Sequence, residues 1–294
     1  MSVITTLISD PQNPQITDQV INMVSDTLGR TLTAAWLDPH KACDLDISHD
    51  EVERIKDLAP QLNELKIDWA IQNKAKRRKK VLVADMDSTM IEQECIDELA
   101  DAIGIKDQVA GITERAMRGE IEFDPALRER VHLLKGLPFS KIDDVIENRI
   151  TLRNGGRELV QTMKANGGYT ALVSGGFTMF TSRIAELLGF DENRANTLIT
   201  EGDTLSGTVQ EPILGSAAKV TAVHDICKKL SLATDDVMAI GDGANDLGMI
   251  EISGSGVAVH AKPKVAEAAD MAINHSDLTA LLYLQGYKRE EFVG

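Results

Sequence analysis

The stretch Val81-Leu82-Val83-Ala84-Asp85-Met86-Asp87-Ser88-Thr89 decides how the rest of the chain reads. Four apolar residues describe a buried strand, and two carboxylates spaced two residues apart follow at its end. Strand alternation puts residues 85 and 87 on one side just as the chain leaves the sheet. In open α/β sheets, ligand sites gather at the carboxyl ends of strands, where loops aim side chains into a crevice. Two acids at such a place repel each other unless a cation sits between them or one is protonated. A bound metal ion and acid–base work would justify the arrangement. The bland alternative is a solvated Asp-x-Asp turn followed by a Ser-Thr helix cap.

Downstream, residues 92–149 read as helical throughout, with stretches at 95–103, 108–117 and 125–134. An insertion of about sixty residues is too long for an ordinary crossover and reads as a helical lid over the strand ends. Short apolar runs then recur at 169–173, 237–240 and 256–259, separated by glycine or helical stretches. That alternation predicts a parallel sheet covered on both faces. Two β-like runs around Glu201-Gly202-Asp203 signal a hairpin.

Upstream, the texture differs. Strands are expected at 3–8, 31–37, 42–47 and 67–71, with a helix over 16–28 stopped by Gly29. Ser48-His49-Asp50-Glu51 has capping-box spacing and predicts a second helix to about residue 65. The order βαββαβ is that of a split-βαβ, ferredoxin-like unit, similar to the ACT family of small amino-acid-sensing domains. The expected organisation is an N-terminal unit over 1–73 and a second over 74–294. The second divides into a core (81–91 and 150–294) and a cap (about 92–149).

The chain has 294 residues, 43% hydrophobic and 26% charged, as expected of an ordinary soluble globular protein. Its net charge of −15 argues against nucleic acid as a partner. A small anionic substrate remains compatible, because a local cation reverses the sign inside one pocket. The basic run over residues 74–80 reads as a solvated linker. No apolar run is long enough to span a membrane, and no basic-then-apolar leader opens the sequence. Cys43, Cys95 and Cys227 form no close pair, so reduced thiols and a cytoplasmic location are expected. Cys95 lies near the acidic motif but reads as a small buried hydrophobe.

Three further motifs carry chemistry. In Val173-Ser174-Gly175-Gly176 a strand ends in a hydroxyl and two glycines before a helix, a place where backbone N–H groups attract phosphate oxygens. Lys219 follows Gly215-Ser216-Ala217-Ala218 on a helix, and alone would read as a solvated charge. Ala239-Ile240-Gly241-Asp242-Gly243-Ala244-Asn245-Asp246 brings a third strand end with two more acids and an amide. Helical sequence follows it, so a hairpin turn fits poorly.

Together the four motifs, in this order over residues 81 to about 285, resemble the haloacid dehalogenase superfamily of phosphatases. The Asp-x-Asp-Ser-Thr form and the helical cap resemble its phosphoserine-hydrolysing family in particular. That resemblance implies a Rossmann-like parallel sheet with a cap inserted after the first strand. It also implies hydrolysis of O-phospho-L-serine to L-serine and phosphate, a step of serine biosynthesis. Asp85 would be the nucleophile and Asp87 the general acid and base, and crowding by a second carboxylate would favour the protonated start Asp87 needs. Asp85, the Asp87 carbonyl and Asp242 would hold Mg2+, with Asp246 supporting the metal site from behind or orienting Lys219. Ser174, Gly175, Lys219 and Asn245 would hold the phosphoryl oxygens. By position, Glu94 matches the residue that takes the serine ammonium and Arg130 the one that takes the carboxylate, while Met117 and Phe123 match apolar cap positions. His132, His224 and His275 match no catalytic role. Two alternatives stand beside this: action on another small phosphometabolite such as phosphohomoserine, and an amino-acid sensor without turnover. For residues 1–73 the expectation is serine-responsive regulation or assembly of a homodimer.

Overall fold

The computed structural model of the protein describes residues 3–117 and 120–294. The N-terminal unit runs β1 (Val3–Ser9), α1 (Asp18–Leu28), β2 (Ala35–Asp38), β3 (Ala42–Ile47), α2 (Val52–Lys56), α3 (Ala59–Glu64) and β4 (Ile67–Asn73). Its strands pair antiparallel in the order β2-β3-β1-β4, the ferredoxin-like arrangement that the βαββαβ pattern predicts. Gly29 ends α1 at φ 70°, a left-handed cap. The Ser48 N–H donates to the Glu51 carboxylate at 2.8 Å, as the capping box requires.

Two expectations shift. The second strand starts at Ala35 rather than residue 31, because the N–H groups of Arg30 and Leu32 donate back to Ser25 of α1 instead of to the sheet. The helix expected up to residue 65 is two pieces. Pro60 stands in the first turn of α3, where its missing N–H suits a start and not a continuation.

The second unit begins with β5 (Val81–Ala84) and passes at once into the cap: α4 (Cys95–Ala102), α5 (Lys106–Met117), α6 (Phe123–Leu133) and α7 (Phe139–Asn148). The chain re-enters the core through α8 (Gly156–Ala165), β6 (Tyr169–Phe177), α9 (Thr178–Leu188) and β7 (Glu192–Asn196). A hairpin of β8 (Leu198–Glu201) and β9 (Thr204–Val209) precedes α10 (Ser216–Leu230) and β10 (Val237–Gly241). The chain then runs through α11 (Leu247–Ile252), β11 (Ser255–Val259), α12 (Pro263–Ala268), β12 (Met271–Ile273) and α13 (Ala280–Leu284).

Six of these strands form a parallel sheet in the order β12-β11-β10-β5-β6-β7. The chain starts in the middle at β5, builds outward through β6 and β7, then returns to lay β10 on the other flank. The crevice of such a sheet opens where the order reverses, here between β5 and β10. Alternation along the strands covers both faces. Leu82, Ala84, Leu172 and Ile240 enter one core cluster, while Val81, Val83, Ala171 and Ala239 enter the opposite one. The cap joins the core through a narrow neck, where Ile91 bridges Leu152 and the Glu92 N–H donates to the Thr151 carbonyl at 3.0 Å. No helix among the described residues is long and apolar enough to cross a membrane.

The run over residues 74–80 is solvated at Lys74, Lys76, Arg78 and Lys80, but two of its cations are not. The Arg77 guanidinium is 10% exposed and grips Asp44 of β3 through two bonds of 2.7 and 2.9 Å. Lys79 is buried and donates to the Asp235 carbonyl at 2.8 Å. The charges are buried because partners from both units meet them, a condition the run itself does not display. Nor is the N-terminal unit a loose appendage. Ile8, Leu37, Ala42 and Ala70 on one sheet face join the core cluster of Leu281 and Tyr283, while Leu7, Cys43 and Leu45 pack beneath α1 to α3. Asp68 of β4 pins the contact. Its buried carboxylate accepts the N–H groups of Asn274 (2.8 Å), His275 (3.2 Å) and Ser276 (2.8 Å). Asp68→Ala leaves three donors unmet, and unfolding stability falls by about 2–4 kcal/mol. A lower urea midpoint measures that loss.

Candidate active site

Three adjacent strands deliver the polar groups. Asp85 follows β5, Ser174 lies where β6 departs from its ladder, and Asp242 follows β10. The Asp85 N–H still donates to the Ile240 carbonyl at 3.0 Å, which fixes the aspartate beside the β10 loop. Lys219 stands in the first turn of α10 and is 2% exposed. Its ammonium lies 2.6 Å from Asp85 Oδ1 and 2.5 Å from Asp246 Oδ1. The lysine read from sequence as a solvated charge, absent its neighbours, is thus the buried cation of the site. Asp246 is fully buried, and its second oxygen accepts the Gly243 N–H at 3.0 Å. It presses against Gly241 so closely that a Cβ there would overlap its carboxylate.

The charges shape one another. Burial pushes the Asp85 carboxyl well above its ordinary range, Asp246 and Asp87 push the same way, and Lys219 opposes them. Burial also works against the Lys219 charge, but Asp85 and Asp246 outweigh it and hold the ammonium protonated. Asp242, raised mainly by burial, accepts the Thr89 hydroxyl at 3.1 Å. Asp85, Asp242 and Asp246 bring oxygens within 4.8 Å of one another. This is an all-oxygen, hard donor set with more negative charge than one lysine balances, so it fits a divalent cation.

Asp87 turns both carboxylate oxygens to use. Oδ1 accepts the Cys95 N–H that opens α4, at 2.8 Å, and Oδ2 accepts the Ser174 hydroxyl at 3.1 Å. Ser88 follows in a left-handed conformation, φ 55°, uncommon for a residue with a Cβ. Arg153, returning from the cap, holds this turn by donating to the Ser88 carbonyl (2.8 Å) and the Thr89 carbonyl (3.0 Å). A Cβ on Gly176 would lie 2.9 Å from Asp87 Oδ2 and 3.0 Å from Ser174 Oγ, so any side chain there would push on both groups.

The cap closes over this floor. Glu94 precedes α4 and accepts the Ser88 hydroxyl at 2.7 Å. Solvent reaches the side chain through the cleft, yet protein surrounds most of it. Desolvation, reinforced by Asp87, pushes its carboxyl up to about 7. Arg130 of α6 is half-buried, and burial draws its guanidinium down while Asp97 and Glu94 oppose. Phe123 opens α6, and its ring lies over the loop at Gly175 and over Gly215: a Cβ on Gly175 would meet it at 3.5 Å and one on Gly215 at 3.2 Å. Met117 closes α5, and its side chain lies outside the described residues. Asn245 is exposed in the turn after Asp242. The β8–β9 hairpin is stitched to the cap between α6 and α7. Gly136 N–H donates to the Leu205 carbonyl (2.8 Å), and Leu205 N–H donates to the Leu137 carbonyl (2.9 Å).

Thus Asp85, Asp87, Ser174, Lys219, Asp242 and Asp246 share one floor, with Glu94, Phe123 and Arg130 above it. Sequence reading missed Thr89, Asp97 and Arg153. Thr89 stood in the quoted motif as a helix cap, whereas nothing local marks Arg153, whose role depends on the chain returning from the cap. The three cysteines are buried and unpaired, and burial pushes the Cys95 thiol up, away from nucleophilic use.

The pattern of the haloacid dehalogenase-like hydrolases matches residues 82–251. A phosphoserine phosphatase of Archaeoglobus fulgidus is 42% identical over 234 residues, which is 79% of this chain and 68% of that protein. A HAD family hydrolase from Salmonella enterica subsp. enterica serovar Typhi superposes with a TM-score of 0.88 at 30% identity, covering 96% of this chain and 98% of that one. A substrate-bound phosphoserine phosphatase superposes at 0.65 and 39% identity, covering 70% of this chain and 98% of that one. The chain belongs to the haloacid dehalogenase-like hydrolases and, within them, to the phosphoserine phosphatases.

Proposed function

We infer that the protein hydrolyses O-phospho-L-serine to L-serine and inorganic phosphate, with Asp85 as the nucleophile. The observation that carries this is the buried Asp85 carboxylate held 2.6 Å from a protonated Lys219, beside Asp87 and beneath a cap that presents an acid and a guanidinium. Asp85 attacks phosphorus, the serine oxygen leaves, and the phosphoryl group passes to the aspartate. Asp87 gives that oxygen its proton, then takes one from the water that releases phosphate. Its two hydrogen bonds hold it in place for both steps. Lys219, the Gly175 N–H and Asn245 meet the phosphoryl oxygens, and Ser174, whose hydroxyl donates to Asp87 at 3.1 Å, stands beside them. Arg130 takes the substrate carboxylate as a fork, Glu94 takes the ammonium, and Phe123 excludes water.

Magnesium would be held by Asp85, Asp242 and the main-chain carbonyl of Asp87, and would supply positive charge to the transferring phosphoryl group. Asp246, with both oxygens engaged, holds Lys219 in line with Asp85.

We take residues 1–73 as a unit that pairs with a second copy through β2, the strand at the free edge of its sheet. A cytoplasmic setting suits three buried, unpaired thiols.

The test is phosphate release from O-phospho-L-serine, with magnesium and after chelation, beside sugar, nucleotide and aryl phosphates. Metal-dependent turnover favouring phosphoserine is expected. Preference for another phosphate would discard Glu94 and Arg130 as readers of the amino acid, and turnover unaffected by chelation would discard the metal site.

A further inference from the structure

We propose that Asn196 is a positioning residue for the reaction, acting through one peptide group on the Ser174 hydroxyl and so on Asp87. The proposal rests on the phosphatase reading of the site.

The need for such a residue arises in the sheet. Strands β6 and β7 run in parallel register from Ala171 opposite Glu192 to Val173 opposite Arg194. The next pair is Phe177 opposite Asn196. Residues 174–176 therefore bulge out of the ladder, which carries Ser174 and the two glycines into the crevice. A bulge leaves backbone groups without their strand partners. Asn196 supplies what the ladder cannot. Its amide Nδ2 donates to the Gly175 carbonyl at 2.9 Å, from a side chain only 2% exposed.

The consequence crosses the peptide plane. The carbonyl of Gly175 and the N–H of Gly176 belong to one planar trans unit and point in opposite directions. Fixing the oxygen therefore aims the hydrogen. That Gly176 N–H donates to Ser174 Oγ at 2.8 Å. The hydroxyl oxygen so held donates its proton to Asp87 Oδ2 at 3.1 Å. The line runs from the Asn196 amide, through one peptide, through one hydroxyl, to the carboxylate assigned the proton transfers. Bonds linked this way polarise one another in a low-dielectric interior.

Asn196 also ties the neck of the hairpin. Its Oδ1 accepts the Leu214 N–H at 2.7 Å, and Nδ2 donates to the Leu214 carbonyl at 3.1 Å. One side chain thus joins both ends of the segment that reaches the cap to the loop that reaches the phosphoryl group. A purely architectural role is the competing explanation, and a double-mutant cycle separates the two.

The experiment measures kcat and KM for O-phospho-L-serine in the full chain, for Asn196→Ala made alone and in the Ser174→Ala background. Acting through Ser174, Asn196→Ala lowers kcat about tenfold with KM within about twofold, the effect of one well-placed hydrogen bond. In the Ser174→Ala background the same change costs less than about twofold, because the line is already cut. An equal factor in both backgrounds, or no loss at all, would overturn the proposal. Asn196→Asp is the second variant, since it keeps the shape and the acceptor for the Leu214 N–H while removing the amide donor. The same cycle is expected from it. Failure of both variants to fold would assign Asn196 to the scaffold and count against the proposal. An unmutated protein without phosphatase activity would instead overturn the reading of the site on which the proposal rests.

Discussion

Asp85→Asn reduces phosphoserine turnover by a factor on the order of 10⁴ or more, the size of loss seen when a covalent nucleophile is removed. An amide is isosteric with the carboxylate, so the packing around Val83 and Ile240 survives and the protein melts close to the unsubstituted chain. What disappears is the strand-end carboxylate that Lys219 pairs with at 2.6 Å. Asp246 stays paired with the lysine at 2.5 Å, yet it is fully buried behind it and cannot take over the attack. Activity within about tenfold of the parent would contradict a nucleophilic role for Asp85.

Replacement of the two cap charges produces a second large effect, confined to one class of substrate. Glu94→Gln and Arg130→Ala each lower kcat/KM for phosphoserine by about 10²–10³-fold, the worth of a charge-assisted contact left unmade. Hydrolysis of an aryl phosphate, which has neither ammonium nor carboxylate, stays within about threefold. Equal losses on both substrates would remove these residues from substrate selection. Glu94 adds a pH signature. Its carboxyl is pushed up to about 7 by desolvation and by Asp87, and only the ionised form attracts an ammonium. The ionised fraction is full well above that value and is lost as pH falls through it. The ratio of phosphoserine to aryl phosphate kcat/KM therefore drops below pH 7 in the parent and loses that drop in Glu94→Gln. Taking the ratio cancels titration of the catalytic floor, which acts on both substrates alike.

The floor of the site was legible because it is written in short range. A strand that ends in acids, or in a hydroxyl and glycines, reveals its chemistry within five or six residues, and β5, β6 and β10 each do so. The βαββαβ order was legible for the same reason, since it depends on local periodicity and on stops such as Gly29. What stayed hidden depends on partners far away in the chain. Arg77 looks like any residue of a basic run until Asp44 arrives from β3 to bury it. Arg153 shows its use only once the chain has left the cap and met the Ser88 turn. Asn196 looks like the end of a strand, and only the slipped register of β6 against β7 gives its amide a carbonyl to hold. The start of β2 was misplaced because Ser25, seven residues away from Leu32, competes for the backbone. Charge and hydrogen-bonding capacity are properties of residues, but burial is a property of the fold.

The central claim is a covalent phosphoryl group on Asp85, and it can be observed directly. The enzyme is mixed with O-phospho-L-serine and magnesium, quenched in acid during turnover, digested, and its peptides are mapped by mass. A phosphorylated peptide spanning the β5 end, with the group on Asp85 and released by hydroxylamine as an acyl phosphate must be, is the predicted result. Turnover with no phosphorylated peptide, or with the group on Asp87, Ser88 or Ser174, would contradict the account.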